Sequence, residues 1–119
     1  MPGYSVTAAN QALDALGGSL NTPVNVIGFT QMNTADPGTT GASESTATRQ
    51  ASAWNAASAR TKTNSGAMTF TGQSATTANS HFSTWSAATA GTFGISGGLG
   101  SNVTAATITV AAGALTLSA

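Results

Sequence analysis

Thr107-Ile108-Thr109-Val110-Ala111-Ala112-Gly113-Ala114-Leu115-Thr116-Leu117 carries the reading of the fold. Apolar and polar residues alternate on both sides of Ala112-Gly113, and a period of two is the spacing at which successive side chains of a strand face opposite sides. Ile108 with Val110 and Leu115 with Leu117 define two inward faces. Thr107, Thr109 and Thr116 fill the outward ones, as β-branched residues do on a lightly covered sheet. Working outward, the same period recurs in Met68 with Phe70, in Phe93 with Ile95, and in Val24 with Val26 beside Ile27 with Phe29 one step out of phase. His81–Trp85 reads as further strand. Asp36-Pro37-Gly38, Asn64-Ser65-Gly66, Ala90-Gly91 and Ala112-Gly113 punctuate the runs with turn residues. Short strands with regular punctuation predict an all-β fold, a small antiparallel β-sandwich of jelly-roll type.

Before the strands, Ala9, Ala12, Leu13 and Leu16 recur at helical spacing. Ser5 or Thr7 would cap that helix and Gly17-Gly18 would end it, so one short helix over 5–17 is expected to lie on the sheet. The chain is then a single domain, 1–119, with the sandwich from residue 23 onward and a long exposed loop at 36–49, where Thr, Ser and Gly show no pattern.

Composition narrows the function. Ala, Thr, Ser and Gly make up 73 of the 119 residues, against 18 for Leu, Ile, Val and Phe together. So few large apolar residues would suggest disorder if the net charge were high, but it is zero. A small core of this kind leans on disulfides, metals or association. There is no Cys, and His81 is the sole histidine, so disulfides and a structural zinc site drop out and association remains. Arg49, Arg60 and Lys62 are the only basic residues, too few for a nucleic-acid surface. Met-Pro-Gly-Tyr-Ser-Val lacks a basic leader and an apolar core, which predicts no signal peptide and synthesis in a cytoplasm. No apolar run approaches the roughly 20 residues of a membrane span.

The chemistry-bearing residues point away from catalysis. Gly94-Ile95-Ser96-Gly97-Gly98 fits the nucleophile-elbow pattern of serine hydrolases, but His81 precedes the serine and no helical pattern follows Gly98. Asp14, Asp36 and Glu44 are the only carboxylates, and none is spaced as a calcium loop requires. Asp36 heads a turn, where its side chain accepts local N–H groups. No catalytic, metal or cofactor residue is assigned. Trp54-Asn55-Ala56-Ala57-Ser58-Ala59 and Trp85-Ser86-Ala87-Ala88-Thr89-Ala90 resemble each other and read as two similar strand-to-turn corners. The candidate packing and interface residues are Phe29, Trp54, Phe70, Phe82, Trp85, Phe93, Ile108 and Leu115.

Four stretches in order carry a family resemblance: Asp36-Pro37-Gly38-Thr39-Thr40-Gly41-Ala42-Ser43-Glu44; Arg49-Gln50-Ala51 with Trp54-Asn55-Ala56-Ala57-Ser58; His81-Phe82-Ser83-Thr84-Trp85-Ser86-Ala87-Ala88-Thr89; and Ala111-Ala112-Gly113-Ala114-Leu115-Thr116-Leu117. Together they resemble small tail-fibre or minor-tail proteins of bacteriophages, particularly those infecting actinobacteria, over nearly the whole chain. Gln31-Met32-Asn33-Thr34 departs from that pattern by lengthening the approach to Asp36. The resemblance implies a non-enzymatic virion component without cofactors, tail-associated and oligomeric, contacting copies of itself and neighbouring virion proteins. A capsid decoration protein satisfies the same physical constraints. A host-surface glycan is a further possible partner, through Trp54 or Trp85.

Overall fold

The computed structural model describes Asn10, Leu13 and residues 25–118. In it the alternating positions separate by face. The strands are β1 (Phe29–Asn33), β2 (Gln50–Ala51), β3 (Thr61–Thr63), β4 (Met68–Phe70), β5 (Ala78–Trp85), β6 (Phe93–Thr104), β7 (Ile108–Val110) and β8 (Thr116–Ser118). β4 pairs antiparallel with β7, setting Met68 opposite Val110 and Phe70 opposite Ile108. All four are buried, while Thr69 and Thr109 face each other on the exposed side. Leu117 of β8 is likewise buried between exposed Thr116 and Ser118. These are the positions at which period two is written in the sequence, because one face of each strand is wet.

The main sheet has the order β2-β1-β5-β6, and two ribbons, β3-β8 and β4-β7, complete the set. All the ladders are antiparallel. The fold is therefore all-β. The pairs β5-β6, β4-β7 and β3-β8 nest one inside the next, the connectivity of a rolled hairpin as in jelly rolls. β1 and β2 depart from it by extending the β5 side of the sheet. The core joins Met32 and Phe82 of the sheet to Met68, Phe70, Ile108, Val110, Leu115 and Leu117 of the ribbons and their corners.

Two sequence expectations change here. The first strand was expected around Val24–Phe29, but Val26 and Ile27 lie in a turn, held by Ile27 N–H donating to Asn25 Oδ1 at 2.9 Å. The strand is Phe29–Asn33, so Gln31-Met32-Asn33 is sheet and not a lengthened loop approach. The 36–49 segment contributes no strand and is mostly exposed, with Pro37, Gly41 and Ala47 buried along it and Asn33 bridging to Glu44. Main-chain bonds from Thr34 to Ser43 and from Ser45 to Met32 close its base. The expected helix over 5–17 lies mostly outside the described residues. Asn10 and Leu13 are helical; Leu13 is buried, and Asn10 Oδ1 accepts the Arg60 N–H at 2.8 Å.

Candidate functional site

Three of the four matching stretches meet at Arg49. β1 brings this about: it pairs with β2 on one side, just past Arg49, and with β5 on the other, setting Phe29 opposite both Ala51 and Trp85. Arg49 Nε and Nη2 grip the two carboxylate oxygens of Glu44 at 2.8 and 3.0 Å, a bidentate pair. Its Nη1 donates to the carbonyls of Ala87 and Ala90 at 2.9 and 2.7 Å. Four of the five guanidinium donors are thereby used on three residues of two separate segments. The plane sits over Trp85, with Cζ 3.9 Å from a ring centroid. The Arg49 side chain is 8% exposed and that of Glu44 30%, so the guanidinium is the shielded end of a pair whose carboxylate still faces solvent.

The far side of Trp85 is fixed by a relay of neutral hydrogen bonds. Trp85 Nε1 donates to Ser83 Oγ at 2.9 Å, Ser83 Oγ to Asn33 Oδ1 at 2.7 Å, and Asn33 Nδ2 to the Ala42 carbonyl at 3.0 Å. The relay returns to the same 36–45 segment that Glu44 anchors. Gly41 lies against the indole in the left-handed region, φ +76°, where a Cβ would stand 2.6 Å from Cη2. Phe93 packs on Trp85 with centroids 5.5 Å apart. Asp36 caps its own turn, accepting the Gly38 N–H at 2.9 Å.

A second joint forms at the opposite corners. Asn64, fully buried, donates from Nδ2 to the carbonyls of Gly66 and Ala111 at 2.8 and 3.0 Å and accepts the Leu115 N–H at 2.9 Å. This ties the β3-β4 corner to the Ala112-Gly113 corner, the fourth matching stretch.

The candidate packing residues divide by depth. Phe70, Phe82, Trp85, Ile108 and Leu115 are buried, whereas Phe29, Trp54 and Phe93 are half-buried. Trp54 stacks on Phe82 at 6.5 Å and donates Nε1–H to the Ile27 carbonyl. Trp85, 7% exposed beneath Arg49, offers no ring face to a sugar. Gly94–Gly98, the elbow-like run, lies inside β6. His81 is half-buried on β5, with Nδ1 2.8 Å from Ser80 Oγ. Sequence reasoning missed the partnership of Arg49 with Glu44. The signal was available: in a chain with three basic and three acidic residues, two of opposite sign lie five positions apart.

The conspicuous residues of this chain hold segments in place, and the fold they hold is a small all-β one. Comparison with protein families makes the class specific. The chain belongs to the family of the podophage GP4 fiber I protein gp80, whose model matches residues 3–118. It is thus a bacteriophage fibre-family protein, as the four stretches implied. No curated protein and no solved structure matches it.

Proposed function

We propose that this protein is a tail-associated structural subunit of the virion, non-catalytic, held in place by contact with further copies of itself and with neighbouring virion proteins. The observation that carries this reading is how little charge is left to the surface. Of the five charged residues described, Lys62 is buried, and Arg49 and Glu44 are engaged with each other. Asp36 and Arg60 carry what remains. Soluble domains normally keep about a quarter of their residues charged, and a surface without charge does little to hold copies apart. In a member of a fibre family, that surface suits permanent neighbours.

Quantitative mass spectrometry of purified virions, normalised to the major capsid protein, tests the placement. A few copies per particle is the expected result. A ratio near one per capsid subunit would overturn the tail assignment and make the protein a decoration of the head.

A further inference from the structure

We propose that Arg60, in the turn that leads into β3, is a residue through which this chain docks on a different virion protein, pairing with an aspartate or glutamate on that protein's surface. The inference rests on the virion-subunit reading above and names one contact in it.

The two similar corners of the sequence supply the first observation. Trp54-Asn55-Ala56-Ala57-Ser58-Ala59-Arg60 aligns with Trp85-Ser86-Ala87-Ala88-Thr89-Ala90-Gly91. The likeness extends to the backbone: Ala59 and Arg60 have φ +50° and +67°, Ala90 and Gly91 +52° and +77°. Two successive left-handed residues make a tight turn, for which glycine is the usual second residue. One corner has glycine there and the other has arginine. Six glycines and four other described residues have positive φ, and of those four, Ser43, Ala59, Ala90 and Arg60, only the last has a long side chain. An L-residue is disfavoured in this region, and such strain persists where the surroundings hold it, above all at binding sites. The surroundings do hold it here. Ser58 and Thr61 exchange both main-chain bonds across the turn at 2.8 and 2.9 Å, and Asn10 Oδ1 accepts the Arg60 N–H at 2.8 Å.

The guanidinium is what glycine would lack. Among the described residues it meets no carboxylate and no hydrogen-bond acceptor, the one bond of Arg60 outside its turn being that of its main-chain N–H. Around it Asn55, Ala56, Ser58 and Ala59 are exposed. Their short side chains let a neighbour come close enough to form a forked, partly desolvated pair. The choice of partner follows from charge. A polyanion is held by several cations, whereas this corner presents one, Lys62 being buried. A second copy of the chain offers Glu44, which Arg49 already grips, and Asp36, which accepts the Gly38 N–H of its own turn. A carboxylate on a different protein of the particle is the partner that fits.

Two phage variants give the test. Arg60→Gly is expected to raise the unfolding midpoint of the full chain in solution by about 2–4 °C, because relief at φ +67° exceeds the entropic cost of glycine. The same variant is expected to leave purified virions at least about tenfold faster on dilution, followed by quantitative mass spectrometry of the particles. Arg60→Lys keeps the charge without the fork and should leave at an intermediate rate. Carbodiimide treatment of Arg60→Lys virions, which joins an amine to a carboxylate in contact with it, should link position 60 to an aspartate or glutamate of a different virion protein. An Arg60→Gly chain that leaves no faster than wild type overturns the Arg60 contact while the virion reading stands. Coupling of position 60 to a second copy of this chain, or to nothing, overturns the choice of partner. A less stable Arg60→Gly chain overturns the strain from which the contact is inferred. If wild type is missing from purified virions, the virion reading fails and this contact with it.

Discussion

Replacing Gly41 by Ala tests the Trp85 joint most directly. The added methyl meets two separate costs. Gly41 has φ +76°, where an L-residue is disfavoured by about 1–2 kcal/mol. The methyl would also stand 2.6 and 2.7 Å from the indole edge and 3.0 Å from Phe93 Cγ. Trp85 cannot withdraw freely, since Arg49 covers it and Ser83 holds its Nε1. Overpacking of this kind costs about 1–3 kcal/mol, for a sum of about 2–5 kcal/mol. Gly38→Ala is the matched control: its φ is +63°, but nothing lies within 4 Å of the added Cβ, so it meets the backbone cost alone. Urea unfolding followed by tryptophan fluorescence gives both values, and their difference, about 1–3 kcal/mol, isolates the contact with Trp85. At roughly 3–6 °C per kcal/mol for a domain of this size, the difference is also visible in a thermal scan. Equal losses in the two variants would refute the packing of Gly41 on Trp85 and, with it, the account of why the 36–45 segment is fixed.

Arg49→Lys should lose about 1–3 kcal/mol despite keeping the charge, because an ammonium cannot grip Glu44 bidentately and reach both the Ala87 and Ala90 carbonyls; urea midpoints decide, and a loss under about 0.5 kcal/mol would contradict the clasp. Asn64→Ala strands the Leu115 N–H and the Gly66 carbonyl and leaves the Ala111 carbonyl with the Ala114 N–H as its remaining donor, and about 2–4 kcal/mol of stability should disappear. Asn64→Asp points a buried carboxylate at those two carbonyls, which raises its folded-state pKa above the unfolded value. Its stability deficit against wild type should therefore grow as pH rises from 4 to 7 and shrink on acidification, and paired denaturation curves at the two pH values test the sign. Thr30→Val replaces a buried hydroxyl that has no hydrogen-bond partner and should raise stability by up to about 1 kcal/mol; a loss of more than about 1 kcal/mol would mean that the hydroxyl is satisfied in solution.

Legibility in the sequence followed solvent exposure. β4, β7 and β8 each bury one face and wet the other, so Met68-Thr69-Phe70, Ile108-Thr109-Val110 and Thr116-Leu117-Ser118 alternate in sequence as they do in space. β1 has no wet face. Thr30, Gln31, Met32 and Asn33 are all buried, the polar ones among them, and so the strand carries no alternation to read. The apolar Val24–Phe29 run before it drew the assignment instead. β3 hid for a related reason: Thr61-Lys62-Thr63 looks like surface, yet Lys62 is buried beside Leu117. For the site, the motifs could be found along the chain but their meeting point could not. It depends on the pairing of β1 with both β2 and β5, which brings residues 44, 49 and 85 together and which no local spacing encodes.

The buried polar joints explain how a chain so poor in large apolar residues holds one shape. Asn33, Asn64, Asn79 and Thr84 are as inaccessible as Phe70 and Phe82. A buried amide is costly unless bonded, so each joint favours the one arrangement in which its partners align. Gln31 Nε2 on the Ala47 carbonyl at 2.6 Å and Gln73 Nε2 on the Ala105 carbonyl at 2.6 Å fasten loops that have almost no apolar side chain with which to dock. The same composition acts on the outside. Ala, Ser, Thr and Gly cover little of the main chain beneath them, so a neighbour approaching this protein meets backbone sooner than it would on a surface of long charged side chains. Main-chain pairing is then the mode of contact that the composition favours.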